Sequence, residues 1–99
     1  MGRGEMMTDR TCFVVWQMGK VKDTVWGVFY DMDGLCKFAQ YMVDSVGDLS
    51  QLHNFIINTE DLETDRVVGV ITMTTFLNTM SIRKRSFEER MKGVETWHK

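Results

Sequence analysis

The stretch TCFVVWQMGKVKDTVWGVFY, residues 11–30, decides the fold, because two runs of strand-forming residues flank a short charged turn. Residues 11–18 and 24–30 are rich in valine and aromatic residues, which favour β-strands. Two such runs a few residues apart predict a β-hairpin. Both runs are apolar on both faces. We therefore expect a helix to cover one face of the sheet, and a second element or a partner to cover the other.

A helix is predicted directly after this hairpin, over residues 34–46. Asp31 or Asp33 precedes it, and a carboxylate at that position accepts hydrogen bonds from the free amides of the first turn. Apolar residues recur along the segment at spacings of three and four, which predicts a stripe that packs on the hairpin. The stripe consists of Leu35, Phe38, Ala39, Met42, Val43 and Val46.

The second half of the chain predicts further strands. Residues 52–58 and 66–76 are rich in Ile, Val and Thr, and the acidic residues 60–65 between them are predicted to form a loop. A short fifth strand is expected over residues 79–83, with a helix over residues 76–85 as the alternative.

A short C-terminal helix is predicted over residues 87–96. Ser86 followed by Glu89 is a capping-box pattern, in which each side chain satisfies a free amide of the other residue. The resulting element order is ββαβββα. It indicates an α+β fold: a small, mostly antiparallel sheet with one helix packed on it and a short C-terminal helix.

The length of 99 residues suits a single domain, which we place at residues 11–99. A hydrophobic share of 43% and an aromatic share of 11% are typical of a folding chain. Residues 1–10 are predicted to be disordered. Met1, Met6 and Met7 leave the true start of translation open.

The two cysteines, Cys12 and Cys36, are too few for a disulfide scaffold, which favours a reducing cytoplasm. No apolar run reaches the length of about 20 residues needed to cross a membrane, and no signal peptide is expected. His53 and His98 lie far apart, and neither is near a cysteine at a spacing typical of zinc ligands. No metal or cofactor is expected.

The net charge of −2 conceals two segments of opposite sign. A candidate acidic interaction loop contains Glu60, Asp61, Glu63 and Asp65. A candidate site for an anion or nucleic acid contains Arg83, Lys84, Arg85, Arg90 and Lys92. Each segment also has a simpler interpretation, a polar loop for the acids and a solvated helix start for the bases.

An apolar strand that ends in Asp31-Met32-Asp33-Gly34 resembles the first motif of the haloacid-dehalogenase phosphatases. The resemblance implies that Asp31 attacks phosphorus, that Asp33 acts as acid and base, and that both hold Mg²⁺. The match ends after seven residues, and the chain is too short for the parallel sheet of that family. We therefore interpret the motif as a helix cap and keep a Mg²⁺-dependent phosphatase as a remote alternative.

The segment 12–42 is similar in pattern to many small phage-encoded accessory proteins: strand, charged turn, strand, acidic cap, helix. That resemblance implies a role in which the protein occupies the surface of a host protein or blunts a defence system. In a phage-encoded protein, the location would be the host-cell cytoplasm.

The leading functional prediction is a non-enzymatic module that binds a protein, either a host protein or a second copy in a homodimer. Trp16, Trp26 and Tyr30 are the candidate interface residues, because a large exposed apolar patch usually marks an interface. Binding of nucleic acid or nucleotides through residues 83–92 is the alternative.

Overall fold

The computed structural model describes residues 10–86, 88, 89 and 91. Its elements are β1 (Thr11–Gln17), β2 (Thr24–Phe29), α1 (Met32–Ser45), a 3₁₀ turn (Leu49–Leu52), β3 (Phe55–Asp61), β4 (Arg66–Thr72) and α2 (Met73–Thr79). The predicted α+β class is confirmed. Of the predicted disordered segment, only Arg10 is among the described residues, and the three candidate start methionines lie outside them.

The four strands form one antiparallel sheet in the order β2-β1-β3-β4. The predicted hairpin of β1 and β2 is present, and β3 returns along the free side of β1. One row of paired residues crosses the whole sheet, because Val14 pairs with both Val28 and Asn58, and Asn58 pairs with Val70. Strands β2 and β4 are the edges of the sheet.

A β-bulge shapes the hairpin, because β2 has one residue more than β1 between two pairs. Val15 pairs with Gly27 and Trp16 pairs with Val25, so Trp26 is the extra residue. The ring of Phe29 lies over Gly27, where an added Cβ would come within 2.8 Å of that ring. Glycine therefore leaves room for Phe29 to stack on Phe38 of α1, with ring centroids 4.9 Å apart.

Helix α1 forms and packs as predicted. Asp31 is its N-cap, and the Asp31 carboxylate accepts a hydrogen bond of 2.7 Å from the amide of Gly34. The predicted stripe is confirmed: four of its residues are buried and the other two pack against the core. The helix therefore covers one face of the sheet.

The third strand begins later than predicted, at Phe55 and not at residue 52. Asp48 and Gln51 form a capping box that begins a 3₁₀ turn, and the turn buries Leu52. Leu52, whose apolar side chain suggested a strand, is therefore a residue of the turn that packs in the core.

The predicted fifth strand over residues 79–83 is wrong, and so is a strand that continues to residue 76. The hydroxyl of Thr72 accepts a hydrogen bond from the amide of Thr75 and caps α2. Met73, Phe76 and Leu77 then become buried at helical spacing. The alternative, a helix, is nearer to the structure but is displaced, since α2 spans Met73–Thr79.

The predicted C-terminal helix is described only in part. The capping box is present: the amide of Ser86 donates to Glu89 Oε1 at 2.8 Å, and the amide of Glu89 donates to Ser86 Oγ at 3.2 Å. Residues 88, 89 and 91 are helical. The remainder of the predicted helix lies outside the described residues.

Candidate interaction surface

The two faces of the sheet have different neighbours. On one face, Val15 and Ile57 are 0% and 1% exposed and belong to the core that α1 and α2 complete. The other face is not covered by either helix, and we call it the open sheet face. It consists of Cys12, Val14 and Trp16 of β1, Val25 and Val28 of β2 with Tyr30 beyond its end, Ile56, Asn58 and Glu60 of β3, and Val67, Val70 and Thr72 of β4.

The edge strands carry most of the exposed area of this face. Val28 is 44% exposed and Val70 is 64% exposed, whereas Val14 between them is buried. Side chains of an edge strand have a neighbouring strand on one side only, which leaves their other side open to solvent. The open sheet face therefore has exposed valines on its two edge strands and little exposed area at its centre.

Glu60 is the one charged residue of the open sheet face. It pairs with Cys12, which is buried. Burial raises the pKa of the Cys12 thiol, and the negative charges of Glu60 and Asp65 raise it further. Cys12 is therefore a neutral thiol at pH 7, and it behaves as a small apolar side chain.

The three predicted interface residues do not lie together. Trp16 and Tyr30 belong to the open sheet face, and the buried indole nitrogen of Trp16 has no hydrogen-bond partner among the described residues. Trp26 points to the opposite side. Its indole donates to Gln17 Oε1 at 2.9 Å, and its ring packs edge-on against Phe55 with centroids 5.4 Å apart.

Trp26 belongs instead to an open groove of about 530 Å³ between the sheet and the C-terminal end of α1. Tyr41 lies on the helix side of the groove, and both rings are exposed. None of its lining residues is charged: Gln17, Trp26, Tyr41, Met42, Ser45, Val46, Gly47, Gln51, Leu52 and Phe55.

The predicted acidic loop over residues 60–65 is wrong at its start, because Glu60 and Asp61 belong to β3, and residues 62–65 form a structured turn. Asp61, the last residue of β3, accepts hydrogen bonds from the amides of Glu63 and Thr64 at 2.8 and 3.3 Å. Glu63 forms an ion pair of 2.6 Å with Arg10. Asp65 has a positive φ of 61°, a conformation that aspartate tolerates better than most residues. Three of the four acids therefore have a local role, while Glu60 faces away from the turn.

The predicted basic cluster is tied to the protein's own carbonyls and carboxylates. Arg85 donates to Asp44 from its backbone amide, Nε and Nη2, at 2.9, 2.9 and 2.6 Å. Lys84 donates to the carbonyl of Val46, and Arg83 pairs with Glu89 at 3.4 Å. The other two predicted residues, Arg90 and Lys92, lie outside the described residues.

Asp44 is the centre of this arrangement, which we call the Asp44 clasp. Its side chain is 7% exposed. Burial by itself would raise the pKa of Asp44, but the hydrogen bonds from Arg85 and Gln40, together with the charge of Arg85, outweigh burial and lower it. Gln40 also donates to the carbonyl of Arg83 at 2.8 Å. The clasp holds the segment after α2 against the last turns of α1.

The phosphatase-like motif forms a helix cap. Asp31 caps α1, and Asp33 pairs with Lys37 at 3.1 Å on the helix surface. Within the described residues, no group of three acids, histidines or cysteines could hold a metal ion. All strand pairs in that part of the chain are antiparallel, unlike the parallel sheet of the phosphatases.

Sequence reasoning missed two features, the Asp44 clasp and the uncharged groove. An acid near the C-terminal end of a helix gave a weak signal for the clasp, since negative charge is unfavourable there unless a cation compensates it. The segment that compensates Asp44 lies 41 residues further along the chain.

Comparisons of the chain with protein-family models, with curated proteins and with solved structures found no match. Among the described residues, no helix has the length and apolar character needed to cross a membrane.

Proposed function

We propose that the protein is a non-enzymatic binding module that docks another protein on its open sheet face. We expect the partner surface to be flat and mostly apolar, because the open sheet face itself is flat and mostly apolar. The observation that carries this proposal is the composition of the face. Both of its edge strands carry exposed valines, and it contains a single charged residue. Exposed apolar area of this kind is costly in water unless another surface covers it.

The charges of the described segments support a protein partner more than a nucleic acid. Phosphates are bound by basic side chains that are free to reach them. Arg85 and Lys84 are engaged by Asp44 and Val46, and the open sheet face carries no base. An accessory role that occupies the surface of a host protein stays part of the proposal, as does a cytoplasmic location. The two free thiols, Cys12 and Cys36, support the latter.

Site-specific photo-cross-linking tests the proposal. A photoreactive p-benzoylphenylalanine replaces Val70 in the full chain, and cells that produce it are irradiated. The matched control places the same residue at Val21, which is 97% exposed in the loop between β1 and β2. We expect protein adducts of discrete mass from position 70 and none from position 21.

A second substitution on the same face, Val28→Glu, should remove the adducts at position 70. It places a charge in the row that also contains Val70, and burying an unpaired charge is unfavourable. Equal labelling at positions 70 and 21, or adducts that persist in the Val28→Glu variant, would contradict the proposal.

A further inference from the structure

The open sheet face is suited to one partner in particular, and this inference rests on the proposed function. We infer that the partner is a second copy of this chain, packed face to face about a two-fold axis that follows the row Val28, Val14, Asn58 and Val70. The geometry would be that of a β-sandwich, in which two sheets pack about 10 Å apart.

The size of the face agrees with a reversible dimer. Four strands about 4.8 Å apart and three rows of side chains give a face of about 19 by 20 Å. Two such faces would bury less than about 1,000 Å² together, because Cys12 and Val14 are already buried within one copy. Interfaces of this size are typical of weak, transient complexes. We therefore expect a dimer that dissociates on dilution, with a dissociation constant in the micromolar range.

The polar residue in the central row decides the direction of the axis. A two-fold axis parallel to the strands would place Asn58 of one copy against Val14 of the other, so that a buried amide would face a methyl group. An axis along the row places each residue opposite its own counterpart, and the two Asn58 amides can then donate to and accept from each other. Because buried polar groups without partners are unfavourable, the second arrangement is preferred.

The same axis keeps the two Glu60 carboxylates of the dimer apart. Glu60 lies one row away from Asn58 on β3, towards the end of the face. Its counterpart in the second copy then lies on the other side of the axis, so the two carboxylates are not opposed. Val28 and Val70 lie along the axis and therefore pack against their own counterparts, as residues on a two-fold axis do.

Sedimentation velocity on the purified full chain tests the inference from micromolar to millimolar concentration. We expect a species of about twice the chain mass of 11.6 kDa that dissociates on dilution. Val28→Glu should raise the dissociation constant at least about tenfold, whereas Val21→Glu should leave it unchanged. Circular dichroism confirms that each variant is folded, and Val70→Thr provides a milder substitution on the opposite edge.

The Asn58→Asp variant tests the axis itself. At pH 7 it would place two carboxylates against each other and weaken the dimer, while protonation near pH 4 would restore it relative to the native chain at the same pH. A dimer whose Asn58→Asp variant shows no such pH dependence would overturn the proposed axis. A chain that stays monomeric at millimolar concentration would overturn self-association. If the chain is monomeric but position 70 still forms adducts with other proteins, the proposed function stands without self-association. If position 70 forms no adducts, both the proposed function and self-association fail.

Discussion

The two faces of this sheet are built from the same residue types and have different surroundings. Val15 and Ile57 are completely enclosed on the face that α1 and α2 cover, whereas Val28 and Val70 are exposed on the other. Valine and isoleucine favour strands on either face, so composition does not distinguish the two. The difference shows that a run of strand-forming residues predicts a strand but not which of its faces is buried. The amphipathic helix that packs on the sheet decides which face becomes the core.

The largest expected effect comes from truncating one residue on each face. Ile57→Ala leaves a cavity in the enclosed core and should lower the free energy of unfolding by about 2–5 kcal/mol. Val70→Ala removes an exposed side chain and should lower it by less than about 0.5 kcal/mol. Urea denaturation of both variants, at a concentration below that of any self-association, measures the contrast. Equal losses would mean that the two faces are equally buried.

The Asp44 clasp holds the segment after α2 against α1. Its loss should have an intermediate effect on the free energy of unfolding. Asp44→Ala removes four hydrogen bonds to a carboxylate of low exposure and should cost about 1–3 kcal/mol of unfolding free energy. Glu63→Ala breaks the more exposed pair with Arg10 and should cost less than about 1 kcal/mol. Urea denaturation at pH 7 compares the two variants.

The same carboxylate makes the clasp sensitive to acid. Because the pKa of Asp44 is lower in the folded protein than its usual value of 3.8, the unfolded chain binds the proton first as the pH falls. The stabilisation is complete above that usual value, and it is lost as the pH falls towards the lower pKa of the folded state. Asp44→Asn should therefore lose less stability than the native chain between pH 5 and about pH 2. Parallel losses would show that other groups cause the acid sensitivity.

The comparison of the two faces also explains what the sequence could predict. The stripe on α1 was predictable because helical spacing is a local pattern, and so was the hairpin. Helix α2 was missed because Thr72, Thr74 and Thr75 follow a valine-rich strand and favour its continuation. Burial of Met73, Phe76 and Leu77 in the core outweighs that preference. These three residues do recur at helical spacing, but a single helical turn is too short a pattern to distinguish a helix from a continuing strand.

The candidate surface was predictable only in part, for a related reason. The sequence indicates that both faces of the hairpin are apolar, which is the origin of the open sheet face. It does not show that the bulge turns Trp26 towards Phe55, away from Trp16 and Tyr30. The engagement of Arg85 by Asp44 likewise depends on contacts across the fold.

The smallest expected effect separates the two aspartates that begin α1, the helix that makes one face different from the other. Asp31→Ala removes the cap from the amide of Gly34 and should lower the free energy of unfolding by about 1 kcal/mol. Asp33→Ala breaks an exposed pair with Lys37 and should lower it by no more than about 0.5 kcal/mol. Thermal and urea unfolding of both variants measure this order. If Asp33→Ala were the more destabilising variant, or if both substitutions left stability unchanged, the helix-cap interpretation of Asp31 would be lost. The start of α1 would then depend on its packing against the sheet alone.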